Sequence, residues 1–540
     1  MPRCNTAALI QSPSSPKILT AMLVTMAAML ILALLHKIAA CRKREKGLPP
    51  GPVSLPLIGN MHQLLWNKPM VVRWIHHLLD KMGTDMMSLK LGSIHVIFVT
   101  CPEIAREVIR KKEAVFFSRP ATFASNLFSY GYKIASLTTL EDQWKKMKRV
   151  LTSEVLSPAM ECQFHGQREQ EADELIRYVY NQVYMAPDSC INVRHIARHF
   201  CGNIIRRLVF GDRYFNKSSA TAVAGPGADE EEHIDALFTL VNYVYNFCVS
   251  DYYTAFVGLD LDGHEKVVKS VISTLDRLHG PIIDERVHMR SKRLKGSDNM
   301  RNVANILDVL VSLEDADGQP LLSIDEIKAQ TVELMFASVV YPSNTVEWAL
   351  AEMINKPEVM QKAVDELDAV VGKERLVQES DICKLNYLKS CIREAFRLHP
   401  YHAINPPRVA MEDTTLGGYK IPKDSHVIIS RIGLGKNPKV WPEPLEFRPE
   451  RHLTGEAVHL TEPDLRFITF SSGRRGCPGV SLGTSFTMVL FARLLQGFSW
   501  TKPPNVDKID LKELPTSLAL TDPLLLQAKP RLATDLYVAH

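Results

Sequence analysis

Apolar residues recur at helical spacing along most of the chain and form short strand-like runs at only a few places. Apolar positions three and four residues apart predict helices over residues 168–185, 192–209, 233–247, 325–353 and 356–372. Residues 480–498 are apolar almost throughout and predict a buried helix. Runs rich in apolar and branched residues at 87–91 and 95–99, around a Gly92-Ser93 turn, predict two short strands. The pattern favours a mainly helical fold with small β-sheets.

The amino-terminal region carries a second kind of pattern. Residues 18–35 form an uncharged stretch of 18 residues, which is near the lower limit for a membrane-spanning helix. Five basic residues follow this stretch and only Arg3 and Lys17 precede it, which favours a cytosolic position for everything after it. A cleaved signal peptide is the alternative, but its apolar region is usually shorter and ends at small residues.

We therefore divide the chain into four parts. Residues 1–17 form a short lumenal amino terminus and residues 18–36 a transmembrane signal anchor. Residues 37–56 form a basic and proline-rich hinge, in which consecutive prolines hold an extended connection. Residues 57–540 form the catalytic domain.

Composition and charge exclude several classes of function. The chain is 46% apolar and 23% charged, with a formal net charge of +4, and no long basic run beyond the amino-terminal segment suggests nucleic acid. The ten cysteines are scattered without a Cys-x-x-Cys pair, which argues against structural zinc. The same scatter fits a reducing compartment better than a disulfide framework.

One cysteine stands in a setting that suits a metal ligand. Cys477 lies between glycines, with Arg475 two residues before it and the predicted buried helix after it. Gly473 and Gly479 allow close approach of the backbone to a flat ligand. The positive amino-terminal end of the helix would favour the thiolate. The alternative is a glycine-rich turn around a buried structural cysteine.

The longer pattern Phe-x-x-Gly-x-Arg-x-Cys-x-Gly, from Phe470 to Gly479, resembles the haem-binding loop of the cytochrome P450 family. The resemblance implies haem b, iron-protoporphyrin IX, as the cofactor, with Cys477 as the axial ligand to its iron. It also implies that Arg475 meets a haem propionate and that Phe470 shields the sulfur. The implied fold is the single-domain, mainly helical P450 fold.

Two further segments resemble the parts of P450s that hold the haem propionates. Trp144 and Lys148 lie one turn apart at the start of a helical run, and Arg408 follows a Pro-Pro pair. Lysine replaces the more usual arginine at position 148, which keeps the charge and loses the bidentate geometry. A solvated basic helix face is the alternative for the first segment.

Three charged residues resemble the buried structural triad of the family. Glu394 and Arg397 are three residues apart on one predicted helix face, and Arg451 follows about fifty residues later. Taken alone, the first two would form only a weak surface ion pair. By the resemblance, the three lock the core beneath the haem loop.

The predicted helix over residues 325–353 would be roughly 43 Å long and cross the whole body. In P450s this helix supplies an acid and an alcohol that relay protons to bound oxygen. Here Ser338 occupies a small-residue position, Val340 stands where the acid would be, and Tyr341-Pro342 replace the alcohol and its follower. Pro342 costs about 3 kcal/mol within a helix, so we expect either a cavity for oxygen beside it or a plain kink.

A proline-rich segment after the triad helix resembles the part of P450s that lines the substrate pocket. The pocket candidates are Tyr401, His402, Ile404 and Asn405. Polar residues among apolar ones suit a substrate with an ionic end and an apolar side chain. Each of the four could equally fill loop structure.

The block over residues 342–353 is similar to a narrower branch, the plant amino-acid N-monooxygenases that form aldoximes. This implies two N-hydroxylations of an L-amino acid, tyrosine or phenylalanine favoured, then loss of carbon dioxide and water. It further implies NADPH through NADPH-cytochrome P450 reductase, and a single-pass protein of the endoplasmic reticulum membrane with a cytosolic catalytic domain. Two alternatives stay open: a plant P450 that hydroxylates carbon of a phenylpropanoid or terpenoid, and a reductase-independent haem-thiolate isomerase or dehydratase.

Overall fold

The structure is a computed structural model that describes residues 47–139, 141–186, 190–213, 226–293, 304–455 and 457–538. The predicted anchor over residues 18–36 lies outside these ranges, as do residues 37–46 of the predicted hinge. None of the helices in the described ranges combines the length and the apolar character needed to cross a bilayer.

Eighteen α-helices lie within the described residues. They are α1 Met61–Trp66, α2 Val71–Met82, α3 Pro102–Arg106, α4 Phe123–Phe128, α5 Glu141–Arg149, α6 Pro158–Gln163, α7 His165–Met185, α8 Val193–Phe210, α9 Ala228–Val244, α10 Val249–Tyr252, α11 His264–Arg293, α12 Ile306–Ser312, α13 Ile324–Ile354, α14 Pro357–Val370, α15 Asn386–Leu398, α16 Arg431–Gly435, α17 Val480–Gly497 and α18 Asp535–Val538. Single π-helical turns, Glu107–Lys111 and Val150–Val155, continue α3 and α5, and 3₁₀ turns form at Thr254–Phe256, Glu379–Lys384 and Pro449–His452.

Nine short strands form three small sheets. They are β1 Met86–Leu91, β2 Ile94–Val99, β3 Ile191–Asn192, β4 Arg408–Val409, β5 Thr414–Leu416, β6 Tyr419–Ile421, β7 His426–Ile429, β8 Phe498–Thr501 and β9 Leu525–Pro530. The sheet orders are β1-β2-β7-β4, β3-β9-β8 and β5-β6, and β2 pairs in parallel with β7 so that Val96 faces His426. The predicted mainly helical fold with small sheets is confirmed.

Helix α13 is the centre of the molecule. Ser323 caps its amino terminus in a reciprocal arrangement with Glu326, which satisfies backbone N–H groups that the helix itself cannot. The helix is buried over most of its length and packs against α8, α9, α15 and α17. It therefore crosses the body as its predicted length requires.

Pro342 lies inside α13, and the helix continues through it. The missing N–H removes one backbone hydrogen bond in that turn. Nearby hydroxyls bond to the carbonyls of the same region: Ser343 Oγ donates to Val339 O at 2.6 Å, and Thr345 Oγ1 donates to Tyr341 O at 2.9 Å. These side chains stabilise the turn around the proline from within the helix.

Helix α9 begins at Ala228, before the predicted start at residue 233. Asp229, Glu230 and Glu231 occupy its first turn. Acidic residues are favourable there because the amino-terminal end of a helix is positive. The apolar spacing predicted the helix only from residue 233, and the structure includes the acidic run in it.

Candidate active site

The loop before α17 holds Cys477 by its own backbone hydrogen bonds. Cys477 N–H donates to Phe470 O, and Gly476 N–H donates to Gly473 O, both at 2.9 Å. Gly473 has a φ of +74°, and a Cβ there would lie 2.3 Å from Glu113 Oε1. Both the left-handed backbone conformation and the closeness of Glu113 therefore require glycine at this position.

The Cys477 side chain faces an internal cavity. The cavity measures about 260 Å³, taken as the space that the centres of water molecules can occupy. Cys477 has an exposed side chain because it opens into this space. Phe470 and Gly479 line the cavity beside it, and Phe470 packs edge-on against Phe396 at 5.9 Å. An accessible sulfur inside the protein is the arrangement that a metal ligand needs.

Helix α5 brings Trp144 and Lys148 to the same cavity, because residues four apart share a helix face. Lys148 Nζ donates to Gly476 O at 3.1 Å, so its charge lies next to the cysteine loop. The Trp144 ring packs edge-on against Phe117 at 4.8 Å. The face is therefore largely enclosed and does not form a solvated basic surface.

Burial raises the pKa of the Cys477 thiol, and the Gly479 N–H and the charge of Lys148 only partly oppose this. The Gly479 N–H at the start of the next helix acts in favour of the thiolate, but burial outweighs it. A bound metal ion deprotonates a coordinating thiol. Coordination of iron, together with the charge of Lys148 nearby, would lower the pKa of the thiol and so stabilise the thiolate that the loop alone does not favour.

Arg475 extends across the wall of the cavity and donates only to carbonyl oxygens. Its guanidinium bonds to Phe117 O at 3.2 Å, Ala135 O at 3.1 Å and Thr138 O at 2.9 Å. Burial, together with Arg408 and Arg474 nearby, lowers its pKa to about 9. A buried guanidinium without an anion is unfavourable, so the wall is incomplete until an anion binds.

Arg408 and Arg119 extend this cluster of buried arginines. Arg408 donates from Nη1 to Phe116 O at 3.1 Å, while its buried Nε and Nη2 have no partner. Arg119 donates to Ser136 O at 3.1 Å and to Pro406 O at 2.7 Å, and its pKa is lowered by burial and by both other arginines. Unpartnered buried donors of this kind fit the two propionates of a haem.

The wall opposite Cys477 is formed by α13. Ser338, Tyr341 and Pro342 line the cavity, and Thr345 one turn further on does so as well. Val340 does not reach it: its side chain is fully buried in the main hydrophobic core. The helical rotation of 100° per residue turns position 340 away from the cavity, so we withdraw Val340 from the candidate catalytic residues.

The same helix places one acid in the wall, at Glu333. Its carboxylate accepts from Ala135 N–H at 3.1 Å and Ser136 N–H at 2.9 Å, and Gln330 Nε2 also donates to it at 3.1 Å. Burial raises its pKa, although these hydrogen bonds oppose the shift. Glu333 thus fixes residues 135 and 136, whose carbonyl oxygens accept hydrogen bonds from Arg475 and Arg119.

The four pocket candidates divide between two cavities. Tyr401 and Asn405 line the cavity of Cys477. His402 and Ile404 do not; they line a neighbouring cavity of about 210 Å³, which Tyr401 also borders. The loop thus presents its two ends to the cavity of Cys477 and its middle to the neighbouring cavity. From the neighbouring cavity, the His402 ring contacts the rings of Tyr341 and Tyr401, at centroid distances of 5.8 and 4.7 Å.

Comparison with known proteins agrees with this geometry. A family model described as cytochrome P450 matches residues 49–529. The chain belongs to the cytochrome P450 family. A solved structure of a zebrafish cytochrome P450 with progesterone shares the fold, with a TM-score of 0.69, 22% identity, and coverage of 85% of this chain and 99% of that one. The P450 is a haem-thiolate monooxygenase, as predicted.

Curated relatives are more similar. A tyrosine N-monooxygenase of Sorghum bicolor is 56% identical over 91% of this chain and 87% of the relative. A valine N-monooxygenase of Manihot esculenta is 48% identical, over 93% and 92% of the two chains. A tryptophan N-monooxygenase of Arabidopsis thaliana is 47% identical, over 92% and 90%.

The P450 brings the three predicted triad residues into contact with one another. Arg397 Nη2 lies 2.7 Å and Arg451 Nε 2.9 Å from Glu394 Oε1, and all three side chains are nearly inaccessible. His452 Nε2 also bonds to Glu394 Oε2 at 2.7 Å. Sequence reasoning missed His452, although it directly follows Arg451.

Sequence reasoning also missed Arg119, Glu333, Thr345 and Arg431 in the cavity wall. Arg119 in the run Ser118-Arg119-Pro120 had only a weak signal, a lone arginine before a proline. Glu333 offered a signal that could have been used, since it is an acid on the predicted central helix. Arg431 follows a short strand and has no motif.

Proposed function

We propose that this P450 converts an L-amino acid, with tyrosine or phenylalanine favoured, to its aldoxime. Two successive N-hydroxylations consume two molecules of O₂ and two of NADPH and release two of water. The N,N-dihydroxy amino acid then loses carbon dioxide and water to leave the aldoxime. Each hydroxylation reduces one oxygen atom to water and inserts the other into an N–H bond.

The observation that carries this proposal is the 56% identity to a tyrosine N-monooxygenase over 91% of the chain. Relatives named for valine and tryptophan are less similar, at 48% and 47% identity. N-oxidation of an amino acid is common to these names, and the more similar relative supports an aromatic side chain. Tyr245, Tyr341 and Tyr401 border the cavity and offer ring surfaces for such a side chain.

The residues of the haem site have the following proposed roles. Cys477 holds the haem iron, and the bound haem supplies activation of O₂. Arg475, Arg408 and Arg119 hold the propionates, with Trp144 and Lys148 beside them. Phe470 covers the sulfur. The wall residues Ser338, Tyr341 and Pro342 limit the space for the substrate on the other side.

The redox partner is a P450 reductase that delivers electrons from NADPH. We further propose attachment to the endoplasmic reticulum membrane through residues 18–36, with the catalytic body in the cytosol. A band of exposed apolar residues supports contact with a membrane: Leu57 is 79%, Trp66 80%, Leu259 63% and Leu261 60% exposed. Tyr253 joins the two halves of this band by donating to Ile58 O at 2.8 Å.

The test is to incubate membranes that contain the protein with reductase, NADPH and single amino acids, and to assay for aldoxime. We expect aldoxime from tyrosine or phenylalanine, dependent on NADPH. No aldoxime from any amino acid contradicts the proposal. Products hydroxylated on carbon from phenylpropanoids or terpenoids, or turnover without NADPH, would instead support the other two classes of enzyme.

A further inference from the structure

One cation of the active-site cavity has no anion to balance it and does not belong to the propionate cluster. Arg431 lines the cavity, and its nearest polar partner is a neutral amide, with Nη2 donating to Asn405 Oδ1 at 3.3 Å. Its Nε is buried and has no hydrogen-bond partner. Among the residues that the structure describes, no carboxylate lies within ion-pair distance of it.

The backbone around Arg431 holds the side chain in place. Arg431 N–H donates to Ala403 O at 2.8 Å, at the start of α16. Ser430 caps this short helix by accepting from Gly433 N–H, and its hydroxyl also bonds to His76 Nε2 at 2.8 Å. The arginine is thus preorganised, so that little conformational freedom is lost when it binds a ligand.

The surroundings of Arg431 differ from those of the three arginines assigned to the propionates. Arg408 and Arg475 lower the pKa of Arg119, Arg408 also lowers that of Arg475, and all three guanidinium groups donate to carbonyl oxygens. Arg431 lies near the phenols of Tyr245 and Tyr341, on whose pKa its charge has a lowering effect, and its charge also acts on Cys477. These phenols and Asn405 border the part of the cavity beside α13, where a substrate has to lie.

We propose that Arg431 binds the α-carboxylate of the amino-acid substrate, with Asn405 positioning the guanidinium. This deepens the proposed function and rests on it. A guanidinium matches a carboxylate with two parallel N–H···O bonds, and Nε is one of the two donors such a pair uses. Asn405 accepts from Arg431 through Oδ1, which leaves its amide N–H groups free to donate to the same carboxylate.

The consequence is a fixed orientation of the substrate. Anchoring the carboxylate at Arg431 leaves the side chain to pack against the tyrosine rings and directs the amino group into the remaining space of the cavity. The anchor is also released when the carboxylate leaves as carbon dioxide. The uncharged aldoxime then has no ionic partner at Arg431, which favours its departure.

The test measures binding by equilibrium dialysis of the haem-loaded enzyme with labelled amino acid and with the matching amine, which lacks the carboxylate. We expect Arg431→Gln to weaken binding of the amino acid about 10- to 100-fold, the worth of a charge-assisted pair, and to leave amine binding within about threefold. Arg431→Lys is expected to lose less affinity for the amino acid, because it keeps the positive charge. Asn405→Ala leaves the charge of Arg431 in place and should therefore reduce the affinity for the amino acid even less. The matched control is Arg177→Gln, which removes an arginine on α7 that pairs with Glu174 outside the cavity.

Equal dissociation constants for the amino acid in wild type and Arg431→Gln would overturn the inference and leave the proposed function standing. Equal losses for amino acid and amine would also overturn it, because they indicate a structural role. A wild-type enzyme that binds no amino acid and forms no aldoxime would contradict both proposals. If Arg431→Gln does not fold, the ratio of amino-acid to amine binding in Arg431→Lys decides the question.

Discussion

Lys148 Nζ donates a hydrogen bond of 3.1 Å to the carbonyl oxygen of Gly476, the residue that precedes Cys477. The bond joins α5 to the haem loop, which is also tied to the body by the side chain of Arg475 and continues directly into α17. A lysine can make this contact as a single donor, whereas the arginine usual in the family would offer a fork. Lysine at this position therefore holds the loop by a single hydrogen bond.

We predict that Lys148→Gln loosens the loop around Cys477. Loss of this charge-assisted bond should destabilise the holoenzyme by about 1 kcal/mol and speed the loss of haem. The carbon monoxide difference spectrum, followed over time, reports the thiolate-ligated fraction. Lys148→Arg is the matched control and should retain most of that fraction. An unchanged rate of haem loss in Lys148→Gln would contradict the role.

Cys477→Ser should remove the thiolate signature from the carbon monoxide spectrum and abolish aldoxime formation. Serine keeps the size of the side chain and replaces the sulfur that the iron prefers. Cys383→Ser is the control, since Cys383 is exposed on the surface. Circular dichroism should show the same helical content in all three proteins. Retention of the thiolate spectrum in Cys477→Ser would refute the assignment of the axial ligand.

Glu394→Gln should destabilise the P450 strongly, by about 3 to 5 kcal/mol, because two buried guanidinium groups lose their anion. Denaturant unfolding measures this loss. Lys362→Gln is a suitable control, since it removes a mostly exposed partner of Glu450 on the same side of the molecule. A loss below about 1 kcal/mol would mean that the buried triad contributes no more than a surface ion pair.

The same variant should change the dependence of stability on pH. Burial would raise the pKa of Glu394, but hydrogen bonds from Arg397 and His452 outweigh this and lower it to about 2, against an ordinary value of 4.5. A carboxyl with a lowered pKa stabilises the fold above pH 4.5, and this stabilisation is lost as the pH falls towards 2. The difference between wild type and Glu394→Gln should therefore shrink in this window. A constant difference would contradict the lowered pKa.

A comparison of Tyr341→Phe with Tyr341→Asn should distinguish the contribution of the Tyr341 hydroxyl from that of its ring. The hydroxyls of Tyr341 and Tyr245 lie within hydrogen-bonding reach of each other, and the Tyr341 ring lies 6.1 Å from that of Tyr401. Tyr341→Phe keeps the ring and should change amino-acid binding by no more than about threefold. Tyr341→Asn, the residue typical of the branch, opens space and should shift preference towards larger side chains such as tryptophan. If neither variant alters rate, coupling or preference, Tyr341 has no special role.

The sequence by itself determined the features that depend on local spacing. Period-3.6 and strand patterns predicted the main helices and β1 and β2, because burial of one face imposes that spacing wherever it occurs. The haem loop was recognisable because its glycines, arginine and cysteine lie within ten residues. Glu394 and Arg397 lie within one helix turn, so their contact could be predicted from spacing. Only the contact of Arg451 with them depends on the tertiary fold.

Only the tertiary structure decided which side chains share the cavity. Val340 and Tyr341 are neighbours in sequence, yet the helix turns the first into the core and the second into the cavity. Arg119 and Arg431 come from segments more than three hundred residues apart and carry no motif. Their proposed roles follow from the groups around each guanidinium. Arg119 lies among carbonyl oxygens and other arginines, whereas Arg431 lies beside two phenols and the amide of Asn405. Such surroundings exist only after the chain has packed.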